Sequence, residues 1–279
     1  MTKQQISSFV RLADAEVEIS YSAAHEALVN FLFCDHITHP GQVCDNKLQL
    51  YLDYSEGLHR LFDNTNSLYQ GKCWFELAST LMSKVIHYCI NDSSHYLSIH
   101  AAAFDIEGRG VLFPGKSGSG KSSLAAWLTL QGYHYFTDEL VMLSKNGEMH
   151  PLTRPISINK SSWPLLSPHA TRIQNGVVAG QRGFMVAHRN LNSQWEKRDV
   201  TLNTIVFPQY QPTERAVFEP ISQGQAFFRL LENYIKARDF HEFSISELAS
   251  LVRGVETFRL CYSKLEELDE ILEPFFVHA

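Results

Sequence analysis

Apolar positions change period several times along the chain, and each change marks an element. From Phe75 to Cys89 they recur at helical spacing. Leu77, Leu81, Val85 and Cys89 share one face with Ala78, Met82 and Ile86 beside them, which predicts a core-facing amphipathic helix. The polar cluster Asn91-Asp92-Ser93-Ser94 then marks a seam. Beyond it, Leu97 to Phe104 and Gly110 to Phe113 are short apolar runs around Asp105-Ile106-Glu107-Gly108, two strands joined by a turn. The pattern next predicts a helix from about Ser122 to Gln131, stopped by Gly132 as a left-handed cap. Tyr133 to Thr137 and Leu140 to Leu143 read as extended, interrupted by Asp138-Glu139. Lys145-Asn146-Gly147-Glu148 reads as a hairpin turn, because Asn-Gly accepts positive φ.

In the last third, a helix from Gln223 to Arg238 would turn Phe227, Leu230, Leu231, Tyr234 and Ile235 inward. Ser244-Ile245-Ser246-Glu247 and Ser263-Lys264-Leu265-Glu266 have the form of capping boxes, each opening a helix, with a strand from Val255 to Tyr262 between them. Residues 1 to 74 mix strand-like runs such as Leu48 to Tyr54 with Gly and Pro breaks. The chain thus reads as a small α+β N-terminal domain over 1–95 and a mixed α/β domain over 96–279, without internal repeats.

Composition narrows the classes. The chain has 279 residues, 44% hydrophobic and 19% charged, an ordinary globular make-up. With 24 Lys+Arg against 30 Asp+Glu the net charge is −6, which gives no support for nucleic-acid binding. No apolar run reaches membrane-spanning length, and the opening residues carry no signal-peptide pattern. Five scattered cysteines (Cys34, Cys44, Cys73, Cys89, Cys261) point to reduced thiols and a cytoplasmic protein.

The chemistry gathers after the seam. Gly115-Lys116-Ser117-Gly118-Ser119-Gly120-Lys121-Ser122 fits G-x-x-x-x-G-K-[ST] at every fixed position, between a strand and a helix. Glycines let successive N–H groups turn inward on phosphate oxygens, and the helix adds its positive end. Lys121 suits the β- and γ-phosphates and the Ser122 hydroxyl suits Mg²⁺, with Ser123 completing the nucleotide-binding run. These residues predict binding of ATP with Mg²⁺.

Asp138 follows Lys121 by 17 residues, room for one helix and one return strand. A carboxylate there would lie beside the loop, one of Asp138 and Glu139 taking a proton from an incoming hydroxyl while the other holds the metal. Alone, the pair would read as a solvated acidic turn. His100, mid-run in Ser98-Ile99-His100-Ala101-Ala102-Ala103, would alone read as a core histidine.

Together these residues resemble the HPr kinase/phosphorylase superfamily, which shares its fold with phosphoenolpyruvate carboxykinases. In the HPr kinases a histidine stands 21 residues before the loop lysine and the first of two Asp stands 17 after it. His100 and Asp138 stand at those distances from Lys121. Within the superfamily, Ile99-His100-Ala101-Ala102, the loop, Thr137-Asp138-Glu139 and Arg154-Pro155-Ile156-Ser157 resemble the branch called HPr-related kinase A. The similarity is strong over residues 96 to 160 and holds in outline after 200. Residues 1–95 resemble that branch's own N-terminal region.

The resemblance implies an HPr kinase C-terminal-domain-like mixed sheet, carrying the P-loop, and an ATP-dependent kinase acting on a Ser/Thr hydroxyl of a peptide or protein. Asp138 would be the general base with His100 beside it, Glu139 and Ser122 the Mg²⁺ ligands, and Lys121 the phosphate neutraliser. Arg154 would clamp phosphate or substrate, or else fix its own loop through backbone carbonyls. The resemblance also suggests homo-oligomers. Glu139 replaces the second Asp and no later HPr kinase signature segment matches, so neither phosphorylase activity nor HPr itself as acceptor is implied.

Two further readings share the same site, a kinase for a small hydroxylated metabolite such as free serine and a nucleotide-responsive module that never transfers phosphate. Val177 to Phe184, with Gly180, Gln181, Arg182 and Gly183, reads as a surface loop or one that closes over an acceptor. Cys34-Asp35-His36-Ile37-Thr38-His39 with Cys44 reads as a His-rich loop, since its spacing matches no standard zinc pattern.

Overall fold

The computed structural model describes residues 5–12, 15–39, 48–92, 97–116, 118–212, 215–234 and 245–277. It divides into two units, one of Met1–Ser93, Thr153–Ser161 and His169–Ala187, the other of Ser94–Leu152, Ser162–Pro168 and His188–Ala279. The first part of the chain holds β1 (Gln5–Leu12), β2 (Ala15–Ser22), α1 (Glu26–Phe33), β3 (Ile37–Thr38), β4 (Leu48–Ser55), β5 (Leu58–Asp63), β6 (Ser67–Gly71) and α2 (Trp74–Asp92). The middle holds β7 (Leu97–Ile106), β8 (Arg109–Pro114), α3 (Lys121–Leu130), β9 (His134–Thr137), β10 (Leu140–Leu143), β11 (Glu148–His150) and β12 (Ile156–Asn159). The single-turn helices α4 (Trp163–Leu166) and α5 (Ala170–Ile173) precede β13 (Val177–Ala179), β14 (Gly183–Val186) and α6 (His188–Leu191). The rest is β15 (Val200–Tyr210), β16 (Val217–Pro220), α7 (Gln223–Leu231), α8 (Ile245–Arg253), β17 (Glu256–Tyr262) and α9 (Leu268–Val277).

In the first unit, six strands run in the order β3-β1-β2-β4-β5-β6. β2 and β4 are parallel, so the chain must cross over between them, and it does so through α1. The expected helix is α2, with Leu77, Ala78, Leu81, Val85 and Cys89 fully buried. The unit differs from a single break near residue 95, because the chain returns to it after residue 152. The buried His36 ring sits with Nε2 3.1 Å from the Thr153 carbonyl oxygen and 2.9 Å from its hydroxyl. β12, β14 and β13 form a separate antiparallel sheet. The stretch expected as a loop over 177–184 is thus mostly two paired strands, and a Cβ at Gly180 would strike the Phe75 ring at 2.5 Å.

In the second unit, β11-β10-β7-β8-β15-β17-β16 form one sheet, β9 also pairs β7, and β11 returns to the start of β15. The turn between β7 and β8 puts Glu107 and Gly108 at φ 54° and 81°, the doubly left-handed form a two-residue hairpin requires. β7 is covered on both faces. Leu97, Ile99, Ala101 and Ala103 join a core with Ala226 and Leu230 of α7 and Leu248 and Val252 of α8. His100, out of phase by one, belongs to the opposite face.

Several terminal signals resolve differently from expectation. Asn146 keeps a negative φ and only Gly147, at 79°, is left-handed in the β10–β11 hairpin. α7 ends at Leu231, whose side chain is exposed rather than inward, and residues 235–238 lie outside the described residues. Ser263 caps nothing. The chain is still extended at Lys264, so Ser263 comes one residue too early for the short turn Leu265–Glu267 that precedes α9. Ser244 lies outside the described residues, though α8 begins directly after it. The capping box that forms is Ser222 with Gln225, each side chain meeting the other's backbone N–H at the start of α7. Among the described residues no helix is long and apolar enough to cross a membrane.

Candidate functional site

The glycine-rich segment leaves β8 and enters α3 in one tight loop. Gly118 and Gly120 sit at φ 87° and 92°, and Gly120 is the N-cap of α3. A Cβ at Gly118 would meet nothing within 4 Å, whereas one at Gly120 would lie 2.2 Å from the Tyr262 hydroxyl. The loop is therefore open on one side and pressed against protein on the other. Ser117 lies outside the described residues.

Lys121, the first residue of α3, is 6% exposed and its ammonium donates to the carbonyls of Gly115 and, at 3.1 Å, Lys116. Burial pushes its pKa below the ordinary lysine value, opposed by the charges of Glu139 and then Asp138. Both carboxylates thus act on the lysine across the return from α3 through β9. Ser122 is half-buried on the first turn of α3. The Ser123 hydroxyl lies 2.9 Å from that of Ser162, and Lys116 reaches outward to pair with Glu232 at 2.9 Å.

Local chemistry shapes the acidic turn between β9 and β10. The Thr137 hydroxyl accepts from the N–H groups of Glu139 and Leu140 at 3.2 and 3.3 Å, tying the turn to its own strand end. Asp138 is 1% exposed, and its Oδ1 accepts a 3.0 Å hydrogen bond from the hydroxyl of the buried Tyr135. Tyr135 is itself anchored by the Trp195 indole N–H, which donates to its carbonyl at 2.6 Å. Glu139 points outward, its carboxylate 3.6 Å from His100 Nε2.

Pairing brings His100 to this turn. β7 runs antiparallel to β10 with His100 opposite Leu140, and the Ala101 N–H donates to the Glu139 carbonyl at 3.2 Å. On its other edge the His100 N–H donates to the Asn233 carbonyl at 2.8 Å. His100, Lys121, Asp138 and Glu139 are therefore neighbours within one unit. An oxyanion group over the loop would meet Lys121 and the α3 N-terminus, and the oxygen donors offered to a divalent cation in this unit are the exposed Glu139 carboxylate and the half-buried Ser122 hydroxyl. The donor set, hard oxygens beside a phosphate-type cradle, suits magnesium.

Arg154 belongs to the other unit, where its guanidinium donates to Ser157 Oγ at 2.8 Å and to the Pro155 carbonyl at 3.5 Å. Among the described residues no three His, Cys, Asp or Glu side chains gather as a metal cluster; Cys44 lies outside them. The parts played by the Tyr135 and Thr137 hydroxyls are not among the sequence expectations. Thr137 had a signal, a hydroxyl residue opening a turn, whereas nothing in Tyr135 announces that its hydroxyl reaches Asp138.

No family model matches the chain. It is 37% identical over 67 residues to an HPr kinase/phosphorylase of Lachnoclostridium phytofermentans, covering 24% of this chain and 22% of that one. It is 33% identical over 127 residues to the putative HPr kinase/phosphorylase 2 of Oceanobacillus iheyensis, covering 44% and 40%. An HPr kinase/phosphorylase of Alkaliphilus metalliredigens is 39% identical over 67 residues, covering 24% and 22%. The chain thus spans from 22% to 40% of the length of these curated relatives. Among solved structures, the HPr(Ser) kinase/phosphatase from Coxiella burnetii aligns over 63% of this chain and 91% of that one, at 13% identity and a TM-score of 0.31.

Proposed function

Over part of its length this chain is a relative of the HPr kinase/phosphorylases, and from that premise we propose that it is an ATP- and Mg²⁺-dependent kinase transferring the γ-phosphate to a Ser/Thr hydroxyl of a peptide or protein. The observation that carries the reading is a buried lysine at the start of α3, bonded to the carbonyls of the glycine loop, with the Asp138-Glu139 turn formed on the return from that helix and both its charges favouring the lysine cation. A cation held by the loop carbonyls of Gly115 and Lys116, beside the N–H groups of a helix N-terminus, recruits polyphosphate, and a carboxylate within its field serves an approaching hydroxyl.

In this reading the loop N–H groups and Lys121 hold the triphosphate and neutralise charge as it moves toward the β-phosphate. The acceptor oxygen forms a bond to the γ-phosphorus while the bond from that phosphorus to the β,γ-bridging oxygen breaks, its electron pair leaving on ADP. Asp138 takes the hydroxyl proton, and Tyr135 keeps the receiving carboxylate aimed. Glu139 and Ser122 would hold Mg²⁺, which supplies Lewis-acid screening of the phosphate oxygens when bound. His100 would orient Glu139 across their 3.6 Å contact. Arg154, whose Ser157 and Pro155 contacts fix its own loop, enters the reading as a clamp only if it exchanges those partners for phosphate. The names of the relatives give HPr as their acceptor; for this chain, with Glu139 in place of the second Asp, the acceptor is read as a Ser/Thr-bearing peptide or protein. The same reading sets the activity in the cytoplasm.

Radiolabelled transfer from ATP to a panel of Ser/Thr peptides, proteins and free serine tests it. Asp138→Asn is expected to lose transfer while keeping ATP affinity, and Lys121→Ala to lose both. Full transfer by Asp138→Asn would refute the base assignment. Labelling of free serine alone would move the acceptor to the metabolite class, and ATP binding without transfer to any acceptor would favour a nucleotide-responsive module.

A further inference from the structure

The loop has two flanks of different character. On one, the antiparallel strands β7, β9 and β10 bring His100, Asp138 and Glu139 together. On the other, β8, β15 and β17 are parallel neighbours, so all three end on the same edge of the sheet. Ligands of parallel α/β sheets bind outside the carboxyl ends of the strands. If the γ-phosphate is turned toward the carboxylates, as proposed above, the nucleoside must leave the loop away from them, toward the ends of β15 and β17.

Two aromatic residues stand there. Tyr210 ends β15 and Tyr262 ends β17, paired in register across the two strands. Tyr262 is 1% exposed, and its hydroxyl donates to the Gly120 carbonyl at 3.2 Å. Its ring meets that of Tyr210 edge-on, with centroids 5.9 Å apart. The Tyr210 N–H donates to the Ser119 carbonyl at 3.3 Å, and a Cβ on Gly120 would lie 3.3 Å from Tyr210 Cβ. Tyr210 is thus tied by its backbone to the middle of the loop and braced by a buried ring, yet the residue is 48% exposed. A large ring left half in water beside a phosphate cradle has no core to serve, and its free surface suits a flat, weakly hydrated partner.

We infer that Tyr210, braced by Tyr262, is a stacking platform for the nucleobase of the nucleotide whose phosphates the loop holds. The inference rests on the reading of the loop as a triphosphate site and adds to it the means by which the protein holds a nucleoside as well as a polyphosphate. Stacking recognises the π-face every base has, so the platform confers affinity without choosing strongly between adenine and guanine.

The test compares MgATP, MgGTP and magnesium tripolyphosphate by calorimetry on the full chain. Wild type is expected to bind both nucleotides more tightly than tripolyphosphate. Tyr210→Ala should weaken the nucleotides about tenfold and leave tripolyphosphate unchanged, while Tyr210→Phe stays within about twofold of wild type. Tyr210→Leu, which keeps bulk but lacks the π-face, should follow Tyr210→Ala and guards against a folding defect in the smaller variant. A parallel loss of nucleotide and tripolyphosphate would make Tyr210 a brace for the loop and overturn the platform. Unchanged nucleotide affinity in Tyr210→Ala would overturn it as well. Wild type that binds none of the three overturns the loop reading itself, a result distinct from either.

Discussion

Replacing Gly120 by alanine tests the loop geometry without reference to any activity. At φ 92° a residue with a Cβ pays roughly 1–2 kcal/mol for the left-handed backbone. That Cβ would stand 2.2 Å from the Tyr262 hydroxyl and 3.2 Å from its ring carbon. The hydroxyl must retreat and give up its bond to the Gly120 carbonyl, about 1 kcal/mol. That carbonyl keeps the Leu124 N–H as a donor at 2.9 Å, so no unsatisfied acceptor adds to the cost. Moving a buried ring adds about 1–3 kcal/mol of overpacking strain. The expected loss is therefore about 3–6 kcal/mol, a large part of the stability of an ordinary domain.

Tyr262→Phe alone should cost only about 1 kcal/mol. Adding Gly120→Ala to it leaves the backbone strain and a tight ring contact, about 1–2 kcal/mol beyond the phenylalanine variant. Urea unfolding of the four forms, followed by tryptophan fluorescence and calorimetry, closes the double-mutant cycle. A coupling of about 1.5 kcal/mol or more is expected. Strict additivity, or a Gly120→Ala chain as stable as wild type, would mean that the hydroxyl does not lie against the loop.

Three other outcomes follow from buried polar contacts. Tyr135→Phe removes the donor to Asp138 and should cost about 1–3 kcal/mol of stability. It should also lower the transfer rate with ATP KM unchanged; unaltered stability and rate would dismiss the contact. Ser222→Ala breaks the capping box of α7 and should cost about 1 kcal/mol, whereas Ser263→Ala, which caps nothing, should be neutral. Burial holds the His59 pKa below 6.5, so the unfolded chain takes up a proton that the folded chain refuses. Its contribution is complete above that value and is lost as pH falls. His59→Gln should lose less melting temperature than wild type between about pH 7.5 and 5.5, and equal losses would show that another group sets the acid limb.

Local physics made the elements around the loop legible. β7, β8, α3, β9 and β10 follow from short apolar runs, a run of glycines and a Gly132 stop, all of which act within a few residues of themselves. The spacing from His100 to Lys121 and from Lys121 to Asp138 was equally local, because one hairpin, one helix and one return strand fill it. Where a signal depended on where the chain was going, it misled. Ser263 has the composition of a cap, but β17 carries the backbone past it in extended form. Leu231 has the period of a core residue, but α7 ends there.

Tertiary structure alone decided what surrounds the loop. Nothing in the order of residues joins Tyr262 to Gly120, Tyr210 to Ser119 or Asn233 to His100, since those meetings are made by elements brought together across 91 to 142 residues of chain. The same holds for the return of the chain after residue 152 to the unit it had left, through His36 and Thr153. A sequence specifies its turns and helices through neighbours it can touch at once. It specifies partners at long range only through the summed burial of many side chains, and no single residue carries that sum.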